Sequence, residues 1–324
     1  MSVEFPPVSI IACTRNRSSF LARTCEEILK RGYCGSEWEL VIIDNGSTDD
    51  TLDVAHAVAE EHPDRVRVVV EHRLGLSEAR NRGIAEARFG LLAFIDDDAF
   101  PLDGWLESLV AAFDSGPEVM CAGGPVDPMF EGELPPWFRG RYLPYLTVWD
   151  LGPDPVELAY NEYPRGANMA FRKEAFRRWG GFSPYLGRKG SSLLSCEETE
   201  LCLRMERAGA RIMYAPGARV RHLTVADRIT PEWLTRRFEA QGKSEAIVNW
   251  QHAVTRGLRI GLVGHIRRWK DAREERPYSG KLFASCQRRA LIGYVKGIPH
   301  AILRTPVYRP PIPWDRPAPW VPFA

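Results

Sequence analysis

No apolar run in this 324-residue chain approaches the roughly 18 residues that a membrane-crossing helix needs, and residues 91–95 are a typical short one. Residues 1–7 carry neither the basic nor the apolar region of a secretory signal. The seven cysteines, at 13, 25, 34, 121, 196, 202 and 286, form no CxxC pair. An odd, scattered set points away from a disulfide framework or a zinc ribbon and fits a reducing compartment. The expected location is therefore cytoplasmic, at most peripheral on the cytoplasmic face of a membrane. No GxGxxG follows a strand, and HExxH and GxSxG are absent, so zinc-protease and hydrolase readings have no support. Gly242-Lys243-Ser244 imitates the end of a phosphate loop, but Arg237 stands where the upstream glycine belongs and no strand precedes it. Basic residues interleave with Trp and Tyr in the last third without a recognisable nucleic-acid module, so no nucleic-acid partner is expected.

What is present is ordinary globular material, 44% hydrophobic and 26% charged, long enough for about two domains and a sizeable core. The formal net charge of +1 hides an asymmetry: residues 229–324 hold 17 Lys+Arg against 7 Asp+Glu, and residues 1–228 hold 26 against 35. An acidic body suits a metal ion, and a basic tail region suits an anionic surface, unless it is only a solvated helical face. The expected division is a catalytic body over residues 1–228, a basic helical extension over 229–305 and a Pro-rich tail over 306–324.

Along the body, short apolar runs alternate with helical patterns. Strands are expected at 8–12, 39–43, 66–70 and 91–95, and helices at Ser18–Arg31, 48–61, 77–88 and 102–113. Such alternation implies βαβ units and a parallel sheet covered on both faces. Ligands bind beyond the carboxyl ends of such strands. Three polar clusters, Thr14-Arg15-Asn16, Asp44-Asn45 and Asp96-Asp97-Asp98, each follow a strand and should converge on one rim. Residues 125–164 read as long loops over the sheet face. A strand begins near Gly166, a helix spans 197–208, and His222 ends a short strand.

Each cluster has a chemical and a structural reading. Three adjacent carboxylates repel, and a hard divalent cation is one reason to hold them together; a solvated acidic loop is the other. Asp44 can accept hydrogen bonds from a base or ribose, while Ser47 and Thr48 suit a helix cap. Glu197-Glu198 opens a helix, where the dipole favours carboxylates, and a carboxylate there can also serve as a general base.

Taken in order, these stretches resemble the inverting family 2 glycosyltransferases of the GT-A fold. The likeness runs from Val8 to His222. It rests on Thr14-Arg15-Asn16-Arg17, Asp44-Asn45-Gly46-Ser47-Thr48-Asp49-Asp50, Ala79-Arg80-Asn81-Arg82-Gly83, Asp96-Asp97-Asp98, Gly166-Ala167-Asn168, Gly180-Gly181-Phe182, Glu197-Glu198-Thr199-Glu200 and Val220-Arg221-His222. The resemblance implies a Rossmann-like, mostly parallel α/β sheet flanked by helices, with a C-terminal helical extension. It implies a donor nucleotide-sugar site at Thr14, Arg15, Asn16, Asp44, Arg80, Asp96 and Asp97, and Mg2+ or Mn2+ on Asp98 and His222. Glu198 would be the catalytic base, with Glu197 as rival, since the family's usual residue there is Asp. Gly166, Ala167 and Asn168 would border the sugar and acceptor. The implied reaction moves a hexosyl-type group from a nucleoside-diphosphate sugar to a hydroxyl on a glycan or lipid-linked glycan. The alternatives are an inactive nucleotide-sugar-binding subunit and a sugar nucleotidylyltransferase, though the latter needs a Gly-rich loop that Thr14-Arg15-Asn16-Arg17 lacks. The basic extension, with Trp250, Trp269, Phe283 and Tyr294, suits peripheral contact with an anionic bilayer.

Overall fold

The structure is a computed structural model that describes residues 5–34, 37–160, 162–274 and 279–307, the side chains at 253–257, 274, 279 and 280 excepted. Its first half is strand and helix in turn: β1 (Val8–Thr14), α1 (Ser18–Arg31), β2 (Trp38–Asp44), α2 (Thr51–Glu61), β3 (Val66–Val70), α3 (Leu76–Glu86) and β4 (Leu91–Asp96). Then follow β5 (Ala99–Pro101), α4 (Trp105–Ala111), β6 (Val119–Gly123), β7 (Val126–Phe130), β8 (Val156–Glu157), β9 (Asn168–Arg172), α5 (Lys173–Trp179), α6 (Glu197–Glu206), β10 (Arg211–Tyr214) and β11 (Val220–Thr224). The described chain closes with α7 (Pro231–Glu274) and α8 (Ser279–Arg304).

Eight strands form the main sheet in the order β3-β2-β1-β4-β9-β6-β10-β8. The β3, β2, β1 and β4 strands run parallel, and β9 runs antiparallel between β4 and β6. Continuous apolar strands follow from burial on both faces, and β2 is buried at all seven positions. On one face α1 turns Leu21, Thr24, Cys25 and Ile28 inward, an i, i+3, i+4, i+7 stripe. On the other, α3 lies so close to β1 that a Cβ on Gly83 would come within 2.5 Å of Ile11.

The register brings the polar clusters together. Thr14 pairs with Asp44, and Cys13 with both Ile43 and Asp96, so β2, β1 and β4 end side by side. The three clusters thus share one rim, as a parallel sheet requires.

Several sequence expectations are corrected. Helix α2 starts at Thr51 rather than 48, because Asp44 and Asp49 accept backbone N–H bonds from Gly46, Ser47 and Thr51 and hold a turn there. Residues 125–164 are not only loop: β7 joins β5 and β11 in a three-stranded sheet, and 140–146 form a 3-10 segment. His222 sits in the middle of β11, not at its end. Most of the Pro-rich tail, from residue 308, lies outside the described residues.

The helices α7 and α8 pack in intimate contact: a Cβ on Gly242 would meet the Ala290 carbonyl at 1.9 Å, and one on Gly293 would meet the Glu239 carbonyl at 1.9 Å. Leu234 and Phe238 of α7 cluster with Phe138, Tyr142 and Leu146 around the 3-10 segment. Ile247, Val248 and Ala301 join the core beside the main sheet. Among the described residues, no helix is long and apolar enough to cross a membrane.

Candidate active site

A cavity of about 700 Å3 opens above the rim where β1 and β4 end. Its floor includes Thr14, Arg15, Asp96, Asp97, Asp98, Gly166 and Ala167. Helix α6 adds Glu197 and Glu198, and β11 adds His222. Residues 188–190 and 192–196 line it as well, with Tyr145, Trp233 and Arg237 from the 3-10 segment and α7. The helical extension is therefore part of the cavity wall.

Asp98 is buried and surrounded by basic side chains. Arg17 Nη1 lies 2.6 Å from it, His222 Nε2 3.1 Å and Arg228 Nη1 3.5 Å. Burial alone would raise its pKa, but His222, then Arg17 and Arg228, hold it well below the usual carboxylate range. Asp97 behaves oppositely: burial pushes it up to about 6 despite the adjacent Arg17, with Asp98 adding to the rise. Its carboxylate accepts bonds from Thr14 Oγ1 at 2.7 Å and Arg17 Nη1 at 2.7 Å, and its own carbonyl accepts from Thr24.

Asp96, Asp98 and His222 each offer a ligand atom, all within 4.8 Å of one another. A carboxylate and imidazole set of this kind fits a divalent cation such as Mn2+ or Mg2+. Strand pairing produces it: His222 faces Ala99 of β5 across the small sheet, just past the acidic run, and Leu223 N donates to Asp98 O at 2.8 Å.

The two glutamates of α6 differ. Glu197 is buried and takes Arg80 Nη1 at 2.6 Å. Glu198 is half-buried, forms no ion pair among the described residues, and takes a long 3.5 Å contact from Thr199 Oγ1. Burial, with the Glu197 charge beside it, pushes Glu198 up to about 7 against the pull of Arg80. Helix α6 is held at its start by α7: Ser195 N donates to Ser244 Oγ at 3.0 Å and Ser195 Oγ to Gln241 Oε1 at 3.0 Å.

Three expected donor or acceptor residues lie off the cavity, and a fourth, Arg80, lines it while serving as a structural tie. Arg80 is buried as a cross-tie, donating to Glu197, to Asp96 at 3.0 Å and to the Gly166 carbonyl at 3.1 Å. Asp96 and Glu197 hold its pKa above the ordinary despite burial. Asn168 is fully buried below the cavity, bonded to Trp105 Nε1 and to the Pro125 and Ala218 carbonyls. Asp44 does not line the cavity; one oxygen holds the 46–47 turn and the other, Oδ1, has no hydrogen-bond partner among the described residues. Asn16, at positive φ, ties the β1 end to the next turn through Ser47 and Thr48 rather than facing the cavity. Sequence reading gave no role to Arg17, Arg165, Arg188 or Arg237. Arg17 had a signal, standing three residues after the β1 cluster began; the other three converge only through tertiary structure.

The architecture is that of GT-A glycosyltransferases. The mannosyltransferase PcManGT from Pyrobaculum calidifontis, solved with GDP-Man and Mn2+, superposes with a TM-score of 0.60 at 19% identity, over 91% of this chain and 88% of that one. GalNAc-T7, solved with UDP, GalNAc and Mn2+, gives a TM-score of 0.58 at 17% identity, over 93% of this chain and 58% of that one. The chain belongs to glycosyl transferase family 2, whose profile matches residues 9–180. A glucosyl-dolichyl phosphate glucuronosyltransferase from Haloferax volcanii is 29% identical over 254 residues, 75% of this chain and 77% of that relative. A pre-mycofactocin glycosyltransferase from Mycobacterium tuberculosis is 31% identical over 66% of this chain, a match spanning 42% of that relative. The protein is a glycosyltransferase.

Proposed function

We propose that this enzyme transfers a sugar, with inversion, from a nucleoside-diphosphate sugar to a hydroxyl of a glycan or lipid-linked glycan. One observation carries the reading: Glu198, which forms no ion pair among the described residues, lines the same cavity as the Asp96, Asp98 and His222 cluster. Asp98 and His222, with Asp96 beside them, would hold a divalent cation, which supplies charge neutralisation for the departing diphosphate. Thr14, Arg15 and Asp97 lie where the nucleotide would enter, and Gly166 and Ala167 border the sugar.

Glu198 takes the acceptor proton as the hydroxyl attacks the anomeric carbon in line with the leaving group. A pKa near 7 suits that task, since about half of the group is ionised at neutrality and the carboxylate is more basic than an ordinary one. The Arg80 pair engages Glu197, which supports Glu198 over its neighbour as base. The backbone carbonyl of Gly166 and the carboxylates of Asp96 and Glu197 share Arg80, so the donor and acceptor ends are held in fixed relation.

The lipid-linked acceptor draws support from the dolichyl phosphate chemistry named for the Haloferax relative. The division at residue 228 is part of this proposal, with the basic extension resting on the cytoplasmic face of an anionic membrane. Exposed Ile260, Val263, Ile302 and Leu303 on its two helices are suited to such contact.

The test is nucleoside-diphosphate release from a panel of nucleotide sugars with Mn2+, using the wild type, Asp98→Ala and Glu198→Gln. Selective release by the wild type, lost in both variants, is expected. Near-normal transfer by Glu198→Gln removes the base assignment, and indifference to Mn2+ removes the cation site.

A further inference from the structure

Three guanidinium groups line the cavity without a carboxylate at ion-pair distance among the described residues. Arg165 precedes β9, Arg188 lies in the segment between α5 and α6, and Arg237 lies on α7. Among the described residues none of the three forms an ion pair, and Arg165 Nε, Arg188 Nη1 and both Nε and Nη1 of Arg237 are buried without any hydrogen-bond partner. Arg237 is only 8% exposed, yet it lines the cavity. By contrast, Arg17, Arg80 and Arg228 all sit on carboxylates of the site. Burying an unpaired guanidinium is costly, and burying three near one another costs more. Burial, with Arg237 and Arg228 nearby, lowers Arg188 to about 9, and burial lowers Arg165 and Arg237 as well. A dianion entering between them would relieve that cost. The guanidinium fork matches phosphate oxygens two at a time.

Position sets Arg165 and Arg237 apart from the donor's diphosphate, with Arg188 between the two ends, in the field of Arg228, Glu197 and Asp96. The Asp96, Asp98 and His222 set is the cation end. Arg165 and Arg237 lie instead in the field of Glu198, on the side where an acceptor hydroxyl must approach. We propose that Arg165, Arg188 and Arg237 form a second anion subsite that binds a phosphate group carried by the acceptor, so that the acceptor is a phosphate ester and not a free glycan. The inference rests on the reading of Glu198 as base and of Asp98 as the donor end.

The full-length enzyme is titrated calorimetrically with inorganic phosphate and with methyl phosphate, alone and with saturating UDP or GDP plus Mn2+. Phosphate is expected to bind alongside the nucleoside diphosphate. Arg237→Gln and Arg188→Gln should each weaken phosphate by about tenfold or more, about 1.4 kcal/mol, while moving nucleoside-diphosphate affinity far less. Both variants should melt no lower than the wild type without ligand, since each removes an unpaired buried charge, and Arg237→Lys should restore part of the phosphate binding. Loss of phosphate binding once nucleoside diphosphate is bound, or equal weakening of both ligands, places these arginines on the donor and overturns the proposal. So does absence of phosphate binding. If phosphate binds but no nucleoside diphosphate does, the transferase reading of the site fails, and the acceptor assignment falls with it.

Discussion

Arg17 Nη1 lies 2.6 Å from an oxygen of Asp98, so one of the three candidate cation ligands already holds a positive partner. The same nitrogen lies 2.7 Å from Asp97. The arginine keeps two neighbouring carboxylates from repelling each other when no other cation is present.

Removing it should expose that repulsion. Arg17→Met is expected to lower stability in EDTA by about 3 kcal/mol, as for breaking a buried pair. Mn2+ should restore much of the loss, giving a larger metal-induced rise in Tm than in the wild type. Paired urea melts with and without Mn2+ measure this, and an identical Mn2+ response in both proteins would contradict it.

Glu198 couples rate and stability to pH in opposite directions. Its folded pKa of about 7 lies above the ordinary carboxylate value of 4.5, so folding favours its protonated form. That stabilising contribution is present below 4.5 and is lost as pH rises through about 7. As a base it must be ionised, so wild-type kcat/KM should climb through the same range. Glu198→Gln should lower transfer by roughly 10²–10⁴-fold and melt above the wild type at pH 8. A pH-rate profile together with thermal melts at pH 6 and 8 tests both halves.

Arg80→Met should be far more damaging to the fold than an exposed arginine variant. It leaves Glu197 buried without its partner, at a cost of about 3–5 kcal/mol. Glu197→Gln in the same chain should recover part of that loss, because the two changes share one contact. Chemical denaturation of the single and double variants measures the coupling.

His222→Gln should weaken Mn2+ by roughly tenfold, about 1.4 kcal/mol, while leaving the fold intact. Isothermal titration with Mn2+ reads the change, and unaltered affinity would remove His222 from the ligand set.

Gly293→Ala puts a methyl where the Glu239 carbonyl already sits, and backbone cannot retreat as a side chain does. A loss of up to about 3 kcal/mol, the upper end for overpacking, is expected in urea melts.

The β1, β2 and β4 strands were legible because apolar runs ending in polar clusters leave few alternatives in a parallel sheet. Helix α1 was legible because Phe20, Leu21, Ile28 and Leu29 recur at helical spacing behind the capping candidates Ser18 and Ser19. The α2 start was misplaced because Ser47 and Thr48 look like caps, and only the backbone bonds to Asp44 and Asp49 show a turn. Asn168 read as a pocket residue because its neighbours Gly166 and Ala167 are; alternation along β9 sends its side chain into the interior instead. Arg80 read only as a donor-site residue because sequence does not show that Glu197, 117 positions away, lies beside it. Arg188 and Arg237 belong to no local pattern, since segments far apart in the chain place them on one cavity.

Because Trp233, Arg237 and Gln241 of α7 complete the cleft, a protein ending before that helix would be a basin missing one bank. Exchanging the last two helices between relatives would therefore do more than move the enzyme to another surface. It would also recast the mould into which the recipient of the sugar must fit.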